Sequence, residues 1–242
     1  MHNTQLLPWD TEMLGVRVAK ILSTHLHVEE LKQSLQQLKA QGIELVYWVF
    51  DSPELASKEA AIACGGFFVD EKITYSLDLI TLPPLPFPYP EIGIYMDSVA
   101  NSELIALAME IVPFSRFSRD PHLSAQQVNR LYTAWIGNAC KKLVAKIILV
   151  ARAHNILGTV SGMVSIDDKQ GRADLSLLAV APLYRHRGIG KRLVYAAHAW
   201  CIAHDYSMSQ VVTQQTNPRA RHLYESCGYQ QEKIEYFYHF WL

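Results

Sequence analysis

Hydrophobic positions in the first third of the chain switch between a period of two, typical of strands, and a period near 3.6, typical of helices. The segments GVRVAKIL, ELVYWVF and ITYSLDL predict strands, the last because Ile73, Tyr75, Leu77 and Leu79 alternate with polar residues. Two intervening segments, VEELKQSLQQLKAQG and SPELASKEAAIACGG, predict helices that end at glycines. Strands that alternate with helices in this way indicate an α/β fold.

A proline-rich segment, TLPPLPFPYPEIG, follows this first group of elements and contains five prolines between Pro83 and Pro90. Proline lacks a backbone N–H and fixes its own φ angle, so this composition resists both a helix and a central strand. The sequence therefore predicts a linker at residues 83–91 between a smaller N-terminal α/β domain, residues 1–82, and a second domain, residues 92–242.

The second domain continues the mixed pattern of helices and strands. Amphipathic helices are predicted at DSVANSELIALAMEI and SAQQVNRLYTAWIGNAC, and strands at AKIILVARA, GTVSGMVSI and RADLSLLAV, with a turn at HNI between the first two strands. From Ile189 onward a helix buries one face, because apolar residues recur at helical spacing (Leu193, Val194, Ala197, Trp200 and Cys201). A glycine-containing loop therefore joins a strand to the start of a helix.

A short repeat links the two domains. The segments CGGFFVDEKITYSLDL and CGYQQEKIEYFYHF share a Cys-Gly helix end followed by E-K-I-x-Y at the start of a strand. Similarity this short can also arise by chance. The first copy lacks the glycine loop and has Ala61 and Glu54 where the second has Tyr224 and Asn217. The first domain is therefore predicted to be a truncated, non-catalytic relative of the second. We expect it to complete the core or to shape the substrate wall, without a cofactor of its own.

The chain has 242 residues, half of them apolar, and a formal net charge of −1 with an isoelectric point near 6.8. A basic surface over the whole protein is therefore excluded, which argues against nucleic acid as a partner and requires any basic site to be local. No apolar run reaches the roughly 18 residues that a bilayer requires, and the first residues carry no signal-peptide pattern, so we expect a cytoplasmic protein without a membrane span. Four separated cysteines without a C-x-x-C pair favour buried thiols over disulfides or a zinc site.

The segment YRHRGIGKRLV, at the start of the helix from Ile189, has the features of a phosphate site. Glycines let the backbone approach a ligand, and a helix start offers unpaired N–H groups at the positive end of its dipole. A Walker A loop is excluded because Arg185 and Arg192 stand where a Gly and a Ser or Thr are required, and the dinucleotide pattern G-x-G-x-x-G fails at Leu193. An exposed basic helix start without function is the alternative on these residues alone.

The run VAPLYRHRGIG, from Val180 to Gly190, resembles the acetyl-coenzyme A loop of the GNAT superfamily of N-acetyltransferases, whose core motif is R/Q-x-x-G-x-G/A. Downstream, TQQTNPRARHLYESCGY is similar to the superfamily's Asn, its Tyr-bearing helix and its Gly-Tyr or Gly-Phe before the last strands. The segments WDTEMLG, SRFSRDP, YTAWIGNA and YHFW extend the resemblance over nearly the whole chain to the branch that acts on sugar nucleotides. The resemblance implies a mixed α/β GNAT fold with a partial GNAT-like N-terminal domain.

The resemblance also implies acetyl-coenzyme A as the cosubstrate, with no metal, and identifies the residues that would hold it. The loop amides would bind the pyrophosphate (Arg185, His186, Arg187, Gly188, Ile189, Gly190 and Lys191). The backbone of the preceding strand would pair with the pantetheine arm (Leu177, Leu178, Ala179 and Val180). These strand residues also fit a simple buried apolar strand, and both interpretations can hold together.

Asn217 and Tyr224 lie on the helix predicted from NPRARHLYESCG, which has an N-cap Asn, a Pro at its first position and a Gly stop. Two helical turns separate the pair, so both side chains can face one cofactor groove about 10 Å apart. The chemistry of acetyl transfer favours Tyr224 as the group that protonates the departing thiolate, because a Tyr with a pKa near 10 is protonated at neutral pH. Asn217 as a cap alone and Tyr224 as a boundary aromatic are the structural alternatives.

The residues on the acceptor side carry weaker signals. Arg116 in SRFSRDP is predicted to contact the diphosphate of a nucleotide-linked sugar, whereas Asp120 is predicted to be a turn or cap residue. Tyr132 and Trp135, three residues apart on a helix, fit the core, the substrate wall or a dimer surface. The general base stays open among several carboxylates, His239 and backbone carbonyls.

The resemblance implies an N-acetyltransferase that modifies the 4-amino group of a dTDP-linked 4-amino-4,6-dideoxyhexose for a surface polysaccharide, and that forms a homodimer. N-acetylation of a peptide, a polyamine or an antibiotic is the alternative within the superfamily. A non-catalytic coenzyme A binder is the alternative of another class. The joint presence of Arg185, Gly188, Gly190, Asn217 and Tyr224 argues against that non-catalytic alternative.

Overall fold

The computed structural model describes residues 4–51, 55–83, 89–153 and 158–242. The strands are β1 (Thr4–Leu6), β2 (Val18–Ile21), β3 (Leu45–Phe50), β4 (Phe67–Asp78), β5 (Ile92–Ile94), β6 (Ile147–Arg152), β7 (Val160–Lys169), β8 (Arg172–Val180), β9 (Met208–Gln214) and β10 (Gln230–Trp241). The helices are α1 (Pro8–Leu14), α2 (Val28–Ala40), α3 (Leu55–Ala63), α4 (Ser102–Met109), α5 (Ala125–Cys140), α6 (Ile189–Ala203) and α7 (Pro218–Ser226).

All of these strands form one mixed sheet with the order β1-β2-β3-β10-β4-β9-β8-β7-β6-β5. The pairs β2/β3 and β8/β9 are parallel, and the other neighbours are antiparallel. Parallel neighbours need a crossover, which α2 and α6 supply. The mixed α/β class predicted from the sequence is confirmed.

The two halves of the chain exchange their last strands. One half runs β2-α2-β3-α3-β4 and the other runs β8-α6-β9-α7-β10, yet β4 pairs with β9 and β10 pairs with β3. At the centre, β4 and β10 pair with each other, and Ile73 lies opposite Ile234. These two isoleucines occupy the same position of the repeated E-K-I-x-Y segment. The repeat therefore marks two equivalent strands that meet about a local two-fold axis.

Helices cover both faces of the sheet. Helices α1, α4 and α5 pack on one face through an apolar cluster that includes Leu14, Leu104 and Leu131. The other face carries α6 and α7, with Leu193 and Cys227 in its cluster, and α2 and α3 pack beside them on β2, β3 and β10. Burial of apolar side chains on each face is the main force that stabilises such layers.

The helices and strands quoted from the sequence are confirmed, with ends that shift by a few residues. The short elements α1, β1, β5 and β9 were not predicted, because three to seven residues carry too little periodicity. The turn at HNI and the centre of the proline-rich linker, residues 84–88, lie outside the described residues. The division at residues 83–91 stays a prediction, since one continuous sheet runs through both halves. Within the described ranges, no helix combines the length and apolar character that crossing a membrane requires.

Candidate active site

A cleft opens where β8 separates from β9. Their parallel pairing begins at Ala173 and ends at Leu175. On the other edge of β8, Leu177 and Leu178 together lie opposite Val164 of β7, which defines a β-bulge. Leu177 has a positive φ of 46°, a conformation that costs a residue with a side chain about 1–2 kcal/mol. The bulge bends β8 away from β9 and leaves its edge unpaired toward the cleft.

The loop after β8 leads into α6, whose N-cap is Gly188 with φ 74° and ψ 4°. The Arg192 amide donates to the Gly188 carbonyl at 3.1 Å as the first bond of the helix. The preceding amides, of Ile189, Gly190 and Lys191, therefore have no acceptor within the helix. Three free N–H groups at the positive end of a helix dipole form a cradle for an anion.

The side chain of Arg185 is engaged by the protein. It donates to the Val180 carbonyl at 3.0 Å and to the Glu110 carboxylate at 2.5 Å. The Arg187 guanidinium lies 5.5 Å from the centre of the Tyr184 ring. Arg185 thus ties the loop to the end of α4, and the backbone amides are left as the direct anion donors.

A cavity of about 750 Å³ extends along the cleft and the start of α6. It brings together Tyr224 and every residue predicted to hold the cofactor except Arg187, namely Leu177, Leu178, Ala179, Val180, Arg185, His186, Gly188, Ile189, Gly190, Lys191 and Asn217. The structure therefore assembles strand, loop and helix residues that are up to 47 positions apart in the sequence. Their individual roles stay predictions.

Helix α7 supplies Asn217 and Tyr224. The Asn217 side chain accepts from the Ala220 amide at 3.1 Å, so it is an N-cap, and it also lines the cavity. Tyr224 is 5% exposed, and its ring lies edge-on to Tyr229 at 5.9 Å. Burial is the main cause that raises the pKa of Tyr224 above its usual value. The hydroxyl is therefore protonated at neutral pH and can act as a donor in the cavity.

The N-terminal half helps to hold α7 in place. Tyr75 on β4 donates its hydroxyl to the Glu225 carboxylate at 2.8 Å, and Arg221 donates to the same hydroxyl at 3.4 Å. The Tyr75 ring lies 6.4 Å from the ring of Tyr224. Because β4 is inserted beside β9, this residue of the first half supports the helix that carries Tyr224.

A second cavity, of about 500 Å³, adjoins the first. The two share several lining residues, including Lys72, Tyr132, Trp135, Ser176 and Gln214. The second cavity is built by both halves of the chain, since α1 and β4 line it together with α5 and the segment before α5. We call it the acceptor cavity. Tyr132 belongs to the apolar cluster on this face and Trp135 packs against it, so the core interpretation is confirmed. Both residues also line the two cavities, and a role as substrate wall stays a prediction.

Asp70 is a deeply buried carboxylate in the wall of the acceptor cavity, and its pKa is clearly raised. The residue is 3% exposed, and its Oδ1 has no hydrogen-bond partner among the described residues. Burial raises its pKa from 3.8 to about 6, against the lowering effect of Arg119 and Arg116. A carboxylate with such a pKa is largely ionised at neutral pH and still accepts a proton readily.

Arg116 lies in the same cavity and is held by aromatic rings. Its guanidinium carbon is 4.4 Å from the centre of Phe117, 4.5 Å from Tyr47 and 5.0 Å from Phe237. Asp10 of α1 lies 3.9 Å away, and burial raises the pKa of that carboxyl although Arg116 opposes the shift. Arg116 is thus a fixed positive charge in the acceptor cavity, as a substrate contact requires.

Two other candidates for the general base, His239 and Asp174, already pair with other residues of the protein. His239 is fully buried, pairs with Asp120 through Nδ1 at 2.6 Å, and lines neither cavity. Burial lowers its pKa to about 4 although Asp120 opposes the shift. Asp174 lines both cavities, but it is ion-paired with Lys169 and accepts from Gln210 at 2.9 Å. Asp120 accepts from the His122 amide at 3.0 Å, so the predicted turn role is confirmed.

Sequence reasoning missed the contributions of the N-terminal half, which are Asp10, Asp70, Lys72 and Tyr75. The repeat was the one available signal, because the strand of its first copy carries three of these four residues. It predicts a first half that completes the core or shapes the substrate wall, and it does not single out these four residues. The strand exchange that carries β4 beside β9 could not be read from it.

Comparison with known proteins agrees with this geometry. Residues 112–229 match the family model described as "Acetyltransferase (GNAT) family". A curated relative, the spore coat polysaccharide biosynthesis protein SpsD of Bacillus subtilis (strain 168), is 30% identical over 175 residues. That alignment covers 69% of this chain and 57% of the relative, so the chain spans little more than half of the relative's length.

Solved structures show the same architecture at low identity. A tandem GNAT protein from the clavulanic acid biosynthesis pathway aligns with a TM-score of 0.63 and 13% identity, covering 94% of this chain and 76% of that one. A GCN5-related N-acetyltransferase from Sphaerobacter thermophilus aligns with a TM-score of 0.64 and 14% identity, covering 98% and 76%. The chain therefore has the mixed α/β GNAT fold, and its residues 112–229 match the model of the GNAT acetyltransferase family.

Proposed function

We propose that this chain transfers the acetyl group of acetyl-coenzyme A to the amine of an amino sugar that is linked to a nucleotide diphosphate. The observation that carries the proposal is the acceptor cavity, which shares residues with the cleft at β8 and contains a buried carboxylate with a raised pKa. The role of the relative SpsD in spore coat polysaccharide biosynthesis supports a carbohydrate acceptor. The sequence resemblance supports a dTDP-linked 4-amino-4,6-dideoxyhexose.

The residues along the cleft fit acetyl-coenzyme A. The amides of Ile189, Gly190 and Lys191 offer donors to a pyrophosphate, and the unpaired edge of β8 offers backbone groups to the amides of a pantetheine arm. When bound, acetyl-coenzyme A supplies the thioester whose carbonyl carbon the acceptor amine attacks. The position of Asn217 on the cavity wall supports a cofactor contact in addition to its cap.

Two side chains handle the protons of the reaction. Asp70 takes a proton from the acceptor nitrogen, so that the nitrogen lone pair becomes available for attack. Tyr224 gives its hydroxyl proton to the sulfur as the carbon–sulfur bond breaks. A buried Tyr with a raised pKa carries that proton throughout the neutral pH range. The Asp70 carboxylate thus acts in the acceptor cavity. The Tyr224 hydroxyl acts in the first cavity, which contains the residues proposed to hold the cofactor.

Thiol release from acetyl-coenzyme A tests the proposal. The acceptors are a nucleotide-linked amino sugar, the same sugar without the nucleotide, a polyamine and a peptide with a free N-terminus. We expect the highest kcat/KM with the nucleotide-linked sugar, and Tyr224→Phe measures the background. Higher kcat/KM with the polyamine or the peptide would refute a sugar acceptor. If acetyl-coenzyme A binds but no acceptor in the panel causes release of its thiol, the protein is a non-catalytic binder. The homodimer stays a prediction, which light scattering after size-exclusion chromatography checks.

A further inference from the structure

Two buried polar atoms of the acceptor cavity residues lack a hydrogen-bond partner in the described part of the chain. They are Nε of Arg116, which is a donor, and Oδ1 of Asp70, which is an acceptor. Both side chains line the acceptor cavity. Buried polar groups are nearly always hydrogen-bonded, so a specific unpaired group calls for an explanation. The two side chains are neighbours, because the Phe237 ring lies 5.0 Å from the Arg116 guanidinium and Phe237 is the β-sheet partner of Asp70. A ligand that carries an acceptor and a donor close together satisfies both atoms.

The surroundings of Arg116 restrict what it can bind. The three aromatic rings at 4.4–5.0 Å hold the guanidinium inside the cavity wall. Arg116 can therefore bind only a group that enters the cavity, because its guanidinium is held away from ligands at the protein surface. Its position is also fixed by the backbone, because the Phe117 amide donates to the Ser115 hydroxyl at 3.1 Å.

The carboxyl groups near Arg116 favour a hydroxyl over an anion, because the two lysines of the cavity, Lys72 and Lys169, are already ion-paired with other carboxylates. Asp10 lies 3.9 Å from Arg116, and Asp70 lines the same cavity. A phosphate or carboxylate at Arg116 would meet both of these carboxyl groups, and like charges repel strongly where water is excluded. A hydroxyl accepts from the guanidinium and donates its own proton to a carboxylate, so it suits both neighbours.

We propose that Arg116 and Asp70 together recognise a vicinal amino alcohol, in which Asp70 holds the reacting amine and Arg116 holds the hydroxyl on the adjacent carbon. The inference rests on the proposed function in that the amine at Asp70 is the acetyl acceptor. It makes Arg116 a specificity residue for the ring carbon next to the amine. It differs from the diphosphate contact expected from the sequence, and the following experiment separates the two roles.

The experiment compares three probes. The first is a dTDP-linked 4-amino-4,6-dideoxyhexose, the second is its counterpart without the hydroxyl next to the amine, and the third is the methyl glycoside of the first sugar, which has no diphosphate. Binding is measured by calorimetry in the presence of coenzyme A, and acetylation by thiol release. Wild type is compared with Arg116→Met, which keeps an unbranched side chain between the rings, and with Arg116→Lys, which keeps the charge. Arg119→Met is the matched control, because Arg119 is a nearby cation that does not line the cavity.

We expect wild type and Arg119→Met to prefer the first probe over the second by about 10- to 100-fold, the usual effect of a hydrogen bond to a charged group. In Arg116→Met this preference should fall to within about two-fold. The substitution should also weaken binding of the first probe and of the methyl glycoside by the same factor. Arg116→Lys should keep part of the preference. An unchanged preference in Arg116→Met, or a loss confined to probes with a diphosphate, would overturn the inference.

The binding and acetylation readouts separate this inference from the proposed function. Acetylation of both sugar nucleotides at equal efficiency by wild type would leave the proposed function standing and refute the role of Arg116. Preferential binding of the hydroxyl-bearing probe without thiol release would support the inference and refute the proposed function. Absence of binding by every probe would refute both.

Discussion

Replacing Asp70 by Asn should make the protein more stable and almost inactive at neutral pH. Asn keeps the shape of the carboxyl group and removes its charge. Asp70 is 3% exposed, and its folded pKa of about 6 lies above the 3.8 of an unperturbed Asp. The folded state therefore prefers the neutral acid, and ionisation of this buried group opposes folding.

The size of the effect follows from linkage. The difference between about 6 and 3.8 corresponds to about 2.2 pKa units, or about 3 kcal/mol at 1.36 kcal/mol per unit. Between pH 3.8 and about pH 6 the folded state binds more protons than the unfolded state, so the wild type loses stability as the pH rises through this window and no more above it. Because Asn does not ionise, the Asp70→Asn protein does not lose this stability as the pH rises. Its advantage over wild type should grow by about 1.4 kcal/mol from pH 5 to pH 7.5, since part of the loss already falls below pH 5.

Urea unfolding at pH 5 and pH 7.5 measures this difference, and thiol release at pH 7.5 measures activity. Glu59→Gln, on the exposed side of α3, controls for the loss of one carboxylate. Turnover of Asp70→Asn should fall by about 10²–10⁴-fold, the range of general acid–base catalysis. An Asp70→Asn protein with equal stability gain at both pH values would show that the carboxyl is not perturbed. Normal turnover in that protein would remove Asp70 from the reaction.

Three further substitutions test the cofactor side of the site. Tyr224→Phe should reduce turnover by about 10²–10⁴-fold with acetyl-coenzyme A affinity nearly unchanged; normal turnover on the true acceptor would reduce Tyr224 to a packing residue. Gly188→Val should weaken acetyl-coenzyme A binding in calorimetry, because a β-branched residue is strained at φ 74° and its Cβ would lie 3.1 Å from the Arg192 guanidinium. Gly188→Ala should show a smaller loss of affinity. Undiminished binding by a folded Gly188→Val protein would contradict the loop assignment. Tyr75→Phe removes the hydroxyl that contacts Glu225 and Arg221. We expect about 1 kcal/mol of lost stability and a fall in kcat, without a change in acetyl-coenzyme A affinity. A fall in affinity with constant kcat would instead place Tyr75 in cofactor binding.

Local chemistry let the sequence determine most helices, most strands and the glycine loop that we propose binds the cofactor. The alternation at Ile73, Tyr75 and Leu77 predicts β4 because side-chain direction in a strand depends only on sequence neighbours. Asn217 is an N-cap because its side chain reaches an amide three residues away. Gly188 and Gly190 likewise predict a phosphate loop, because local backbone geometry and helix polarity depend on sequence neighbours.

Only the tertiary structure decided which distant residues complete the site. Asp70 and Arg116 line one cavity because β4 leaves its own half and lies between β10 and β9, and no local pattern states which strands become its neighbours. His239 was a candidate base until the sheet placed it against Asp120, 119 residues away, and out of both cavities. The sequence by itself determined most of the local elements and the position of the glycine loop at the start of α6. Sheet order, which depends on the packing of the whole chain, decided that the N-terminal half supplies the acidic wall of the acceptor cavity.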